Sequence, residues 1–238
     1  MMSKYGTGAI KDIDDSRDYV ISATRPVKTN KSIFHEHPLP IRSQGPEGTC
    51  VAHAVTRVKE WYDVKQGRRP YQYSPRHLYY HCKLVDNYQG EGTFPRVALN
   101  QLQVGGVSYE SDWPYKPYQQ DVPDLERLKS IAYPQKIFTY ARINNAKQMI
   151  ANLLMNGPFV ISLPITDGWI TDSCLKTGIV DTSVPVEPKS GLHLITCDGY
   201  DHKRGGSVGD WGVCGVWGRG IGSEGGGRNA ECGRGGEV

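Results

Sequence analysis

From Cys50 onward, Val51, Ala54, Val55, Val58, Trp61 and Tyr62 recur at three- and four-residue intervals, which predicts a helix with one apolar face stopping near Gly67. A second helix is predicted from Ser74-Pro75, a hydroxyl cap followed by a first-turn proline, with Leu78, Tyr79 and Cys82 turned inward. A third runs from about Thr93-Phe94-Pro95 through Val97, Leu99 and Leu102 and stops at Gly105-Gly106. Beyond Trp113-Pro114-Tyr115 a Pro-rich connection leads to a helix over residues 146–156, where Met149, Ile150, Leu153 and Leu154 keep helical spacing up to Gly157-Pro158. The pattern then changes to short apolar runs, Phe159 to Leu163 and Leu192 to Cys197, which read as buried strands. Helices in the first half and strands in the second predict an α+β fold of two lobes, with a cleft between them as the expected site. Residues 1–40 are polar and Pro-interrupted, with Asp12, Asp14, Asp15, Arg17 and Asp18 crowded together and no helical period, so they read as an extended arm.

The chain has 238 residues, enough for one large domain or two lobes sharing one core. Its 28 basic and 25 acidic residues are dispersed, and no basic run tracks a phosphate backbone, so nucleic acid is not an expected partner. No apolar run of membrane-spanning length occurs, and the first residues carry no signal-peptide pattern. A non-membrane protein, cytoplasmic by default, is the corresponding expectation. The six cysteines are scattered without a Cys-x-x-Cys pair, which argues against a disulfide scaffold or a zinc site; no metal or cofactor is expected. Cys82, Cys174 and Cys197 read as small buried hydrophobes, and His53 and His81 as structural or surface groups.

Cys50 is different because it opens a helix. Backbone N–H groups there lack intrahelical partners and the helix dipole is positive, a setting that favours a thiolate. The stretch Ser43-Gln44-Gly45-Pro46-Glu47-Gly48-Thr49-Cys50 resembles the active-site signature of papain-like cysteine peptidases, in which a Gln-Gly pair precedes Gly-Ser/Thr-Cys at a helix start. Further matches follow in the same order: Tyr73-Ser74-Pro75, Glu91-Gly92-Thr93, Gly105-Gly106-Val107, Trp113-Pro114-Tyr115, Asn156-Gly157-Pro158, and Leu192-His193 leading to Gly199-Tyr200. Together they span about residues 38–201.

The resemblance implies a papain-like two-lobed fold and peptide-bond hydrolysis through a covalent acyl-enzyme, with a peptide or protein as substrate. Imidazole is suited to take the thiol proton and return it to the leaving amine, and His193, on a strand of the opposite lobe, is the expected base. An ion pair between a Cys50 thiolate and a His193 imidazolium is expected across the cleft. Gln44, with the Cys50 backbone N–H, is the expected oxyanion donor. By resemblance, Glu91 and Gly92 belong to the wall that binds an extended substrate backbone. The implied division is an arm over 1–40 and a peptidase domain over 41–204, its helical lobe about 41–130 and its β-rich lobe about 131–204.

Two features depart from the family pattern. Glu47 stands where many secreted relatives have a cysteine. The Asn-Ser-Trp-Gly segment that supplies the asparagine orienting the histidine is missing: before Trp211-Gly212 stand Gly209 and Asp210, and Asn229 has no Trp-Gly after it. Residues 205–238 hold 14 glycines in 34 residues, as many as the preceding 204, and lack Leu, Lys, Phe, Tyr, Pro, Thr, Gln and Met. Such a composition points to a lost reading frame or misassembled end; the alternative is a Gly-rich tail on a diverged member. The alternative function is a catalytically impaired or inactive papain-like protein that binds extended peptides. Acyl transfer to an amine and the oligomeric state stay open.

Overall fold

The computed structural model describes residues 6–21, 32–186 and 191–201. The Gly-rich stretch 205–238, with Gly209, Asp210, Trp211 and Asn229, lies outside them. Cys50 is the first residue of helix α1 (Cys50–Lys65), which ends at Gln66 and Gly67 as its spacing predicts. Helix α2 (Pro75–Val85) is capped by Ser74, whose hydroxyl accepts the His77 amide at 3.1 Å and donates to the Trp113 carbonyl at 2.6 Å. Helix α3 (Pro95–Val104) stops at Gly105. These three pack through Val51, Ala54, Val55, Leu78, Cys82, Ala98 and Leu102 into one buried cluster.

The Pro-rich connection contains a helix that its sequence reading does not include, α4 (Leu125–Ala132). The Asp124 side chain accepts the amides of Glu126 and Arg127, and Leu128 and Ala132 are buried. The flanking prolines mask a short amphipathic pattern here without preventing it, since they precede the cap and follow the last turn. Helix α5 (Ala146–Met155) lies where its spacing predicts and starts at Asn145, whose side chain caps the Gln148 amide.

A two-residue strand β1 (Ile33–Phe34) precedes the helices, and β2 (Phe159–Pro164) follows α5. After a short helix α6 (Asp172–Thr177) come β3 (Leu192–Cys197) and β4 (Gly199–Tyr200). Strands β2 and β3 pair antiparallel with Phe159 opposite Cys197 and Leu163 opposite His193; β1 pairs antiparallel with β4. A second cluster of Leu153, Phe159, Cys197 and Tyr200 packs under these strands. Leu194 of β3 belongs to the helical cluster instead, so β3 is the strand that faces α1 across the junction of the lobes. The architecture is α+β and two-lobed.

Candidate active site

The loop ahead of α1 is held from several sides. Glu47 is buried and paired with the Arg76 guanidinium of α2. It also accepts the Tyr118 amide at 2.9 Å, and its Oε2 lies 3.3 Å from the Tyr115 hydroxyl. The same hydroxyl donates to the Gln44 carbonyl at 2.7 Å and lies 2.8 Å from the Thr49 hydroxyl. Glu91 accepts the Gly48 amide at 2.9 Å, which makes it a brace for the loop that carries Cys50. An ion pair with α2 thus serves where Glu47 replaces the cysteine of many secreted relatives.

Gln44 is buried, and its Nε2 donates to the Glu47 carbonyl at 3.0 Å and to the Gly6 carbonyl at 2.8 Å. The backbone amides of Cys50 and Val51, with those of Leu194 and Gly8, face the Cys50 sulfur. His193 is buried and immediately precedes Leu194 on β3, the residue whose amide faces the Cys50 sulfur. The structure therefore brings Gln44, Cys50 and His193 to the junction of the lobes. Gly92 lies nearby with φ +98, and its amide donates to the Tyr79 hydroxyl at 3.0 Å.

The expected thiolate–imidazolium pair is not the favoured state of this arrangement. Cys50 is fully buried, and burial pushes its thiol up to about 11; burial also pushes the His193 imidazole down to about 4. Taking a charge out of water disfavours it in both groups, so both are neutral near pH 7. His53, taken as structural or surface, is buried, with Nδ1 3.0 Å from the Thr49 carbonyl.

What covers the thiol was not foreseen. Residues 6–10 run through the junction as an irregular segment, with Ala9 bridging to both Thr93 and Leu192. Thr93 N–H donates to the Gly8 carbonyl at 2.9 Å, Ile10 N–H to the Thr93 carbonyl at 3.0 Å, and Ala9 N–H to the Leu192 carbonyl at 3.2 Å. The segment is parallel to the chain at Thr93 and antiparallel at Leu192. One signal for it was present: Gly6 and Gly8 alternate, so both fall on one side of an extended chain. Among the described residues, no three His, Cys, Asp or Glu side chains converge as metal ligands, and no helix is long and apolar enough to cross a membrane.

This fold is that of the papain-like cysteine peptidases of family C1. The chain superposes on xylellain, a cysteine protease from Xylella fastidiosa, with a TM-score of 0.70 and 22% identity over 84% of this chain and 82% of that one. It also superposes on procathepsin B S9 from Trypanosoma congolense, with a TM-score of 0.59 and 19% identity, covering 82% and 71% of the two chains. A digestive procathepsin L 3 of Tenebrio molitor larval midgut gives a TM-score of 0.57 at 16% identity, covering 82% and 61%. In sequence, the chain is 27% identical over 171 residues to an uncharacterized peptidase C1-like protein of Acanthamoeba polyphaga mimivirus, covering 66% of this chain. It spans about half, 55%, of that relative's length. Compared with models of known protein families, the chain matches none. The expectation of a cytoplasmic address is overturned by this likeness, which includes a digestive procathepsin of larval midgut.

Proposed function

We propose that the chain is a cysteine-type peptidase with Cys50 as nucleophile, His193 as general acid and base, and Gln44 with the Cys50 amide as oxyanion donors. The observation that carries this reading is the segment 6–10: an extended backbone lies between Thr93 and Leu192, passes the Cys50 sulfur and sets a carbonyl on Gln44 Nε2. A groove that takes one extended polypeptide by its backbone suits others, and Glu91 and Gly92 belong to its wall.

With a substrate backbone in that groove, His193 takes the Cys50 thiol proton and the sulfur attacks the peptide carbonyl carbon. The carbonyl electron pair moves to oxygen, where Gln44 Nε2 and the Cys50 N–H receive the charge. As the C–N bond breaks, the imidazolium returns its proton to the departing amine. Water then attacks the thioester, His193 takes its proton, and the carboxylic product leaves as the thiolate is regenerated. The rival reading, a peptide-binding protein without turnover, is favoured by the neutral state of Cys50 and His193. Digestion of an unfolded protein substrate by Gly8→Val, whose added Cβ would meet the Gly48 carbonyl oxygen at 1.9 Å and so displaces the segment from the groove, and by the same chain with Cys50→Ala decides between them. The peptidase reading expects cleavage only by the chain that keeps Cys50; equal digestion by both, or binding to both without any digestion, overturns it.

A further inference from the structure

Two residues before Gln44, Arg42 sends its guanidinium into the helical lobe. Its Nη2 donates to the Glu60 carboxylate at 2.6 Å and to the Thr56 hydroxyl at 3.4 Å, both on α1, and its Nη1 donates to the Tyr73 carbonyl at 2.6 Å. Glu60 Oε1 also accepts the Tyr73 amide at 2.8 Å, so the pair closes on both backbone groups of Tyr73. The Thr56 hydroxyl in turn donates to the Ala52 carbonyl at 2.8 Å, in the first turn of the helix that Cys50 opens. Neighbouring cations are engaged elsewhere, Lys59 with Asp63 at 2.7 Å and Arg57 with the Pro40 carbonyl at 3.3 Å, which leaves Arg42 as the close counter-charge of Glu60. With the two side chains 16% and 0% exposed, this charge-assisted bond is little screened by water.

The same guanidinium faces Glu110 across 3.7 Å. Glu110 Oε1 accepts the Tyr115 amide at 2.7 Å, and the Tyr115 hydroxyl donates to the Gln44 carbonyl at 2.7 Å. Gln44 is thus reached from Arg42 twice, along the chain and through Glu110 and Tyr115. Two residues of chain span at most about 7 Å, so the place of Arg42 limits where the Gln44 side chain can stand. This anchor is separate from the Glu47 pair with Arg76: it holds the loop ahead of Gly45, whereas that pair holds it after Pro46.

We infer that Arg42 is a positioning residue for the oxyanion site: anchored on α1 by Glu60 and Thr56, it fixes the Gln44 side chain relative to Cys50. The effect on turnover rests on the peptidase reading; the hold on the loop does not.

Two readouts separate these parts. Arg42→Met combined with Glu60→Gln removes the anchor without leaving a buried charge, and Arg42→Lys keeps a cation against Glu60 but loses the planar fork. The first readout is hydrogen exchange of the Gln44 side-chain amide, which donates to the Gly6 and Glu47 carbonyls, with the Ala98 amide of α3 as the reporter of an intact core. The second is kcat and KM for a fluorogenic peptide in the Gly8→Val chain, with Gln44 present and with Gln44→Ala. The combined variant is expected to speed Gln44 exchange at least about tenfold with Ala98 still protected, and Arg42→Lys to do so by a smaller factor; kcat falls at least about tenfold with KM little changed. In the Gln44→Ala background the same change lowers kcat no further, since Arg42 acts through Gln44. An equal fall of kcat in both backgrounds overturns the inference, as does Gln44 exchange in both variants that matches the parent's or rises only together with Ala98. Faster Gln44 exchange in chains that release no peptide, with Arg42 or without it, upholds the hold on the loop and overturns the peptidase reading instead.

Discussion

Replacing Arg76 by methionine tests whether the oxyanion loop is held by its buried ion pair. The Glu47 and Arg76 side chains are only 7% and 6% exposed, so neither is screened by water. The substitution leaves a buried carboxylate without its counter-charge, a change that costs about 3–5 kcal/mol in comparable pairs. Glu47 keeps the Tyr118 amide and the Tyr115 hydroxyl, which sets the expected loss near the lower end, about 3 kcal/mol. The Arg76 guanidinium also gives up its bond to the Lys116 carbonyl and its place over the Tyr115 ring. Because Gln44 Nε2 bonds to the Glu47 carbonyl and Tyr115 to the Gln44 carbonyl, turnover should fall along with stability. Urea unfolding of the parent, Arg76→Met, Glu47→Gln and the double variant gives the coupling between the two residues. The double variant is expected to recover most of the loss, since no charge is then left buried. An Arg76→Met cost below about 1 kcal/mol, in the range of an exposed pair, would refute the reasoning.

Gln44→Ala should lower kcat by about 100-fold or more with little change in KM, the usual effect of losing one oxyanion donor; an unchanged kcat would remove Gln44 from that role. Stability should fall on acidification. Burial lowers His37 and His193 to about 4 and His53 and His77 to about 3, and the His77 Nδ1 accepts the Ser108 amide at 3.0 Å, a bond that protonation breaks. The unfolded chain binds protons at these sites near the ordinary value of about 6.5, so the stability they give is present above it and lost as pH falls toward their folded values. Glu60 and Asp198 are pushed up by burial to about 7 and about 6; their contribution has the opposite sense, present at acid pH and lost as pH rises through those values. Asp12 and Glu110 are raised in that same sense, and His81 is lowered with the other histidines. The four large histidine shifts outweigh the two large carboxyl shifts, so Tm should drop from pH 7 to pH 5; a flat or rising Tm would contradict this.

The elements legible in the sequence are those whose own residues carry the signal. α1, α2, α3 and α5 show apolar spacing and stop signals within their own lengths, and β2 and β3 are β-branched runs bounded by Gly, Pro or polar residues. α4 carried Asp124, Leu128 and Ala132 as a readable pattern, but it is two turns long among prolines. β1 and β4 are two residues each and exist only as partners of one another, which no local pattern announces. At the site, Cys50 and Gln44 were legible because a helix start and a six-residue offset are local. The Glu47 pair with Arg76 was not, since a lone Glu and a lone Arg on separate elements look like solvated surface. Nor was the place of residues 6–10 in the groove: their hydrogen bonds are backbone to backbone with Thr93 and Leu192, and their mark in the sequence is little more than two alternating glycines. The burial that pushes the Cys50 thiol up was not legible either, since residues that line it, Gly8 and Leu194, are far from it in sequence.

The central claim is that the Cys50 thiol carries out peptide-bond cleavage with His193. The most direct measurement is the intact mass of the Gly8→Val chain after incubation with a peptidyl halomethyl ketone, repeated with Cys50→Ala and His193→Ala added to the same background. The account predicts one adduct per chain, located on Cys50, absent in Cys50→Ala and slowed by at least about 100-fold in His193→Ala, the contribution expected of a general base. An adduct rate that is unaffected by either substitution, or an adduct on another residue, would contradict it.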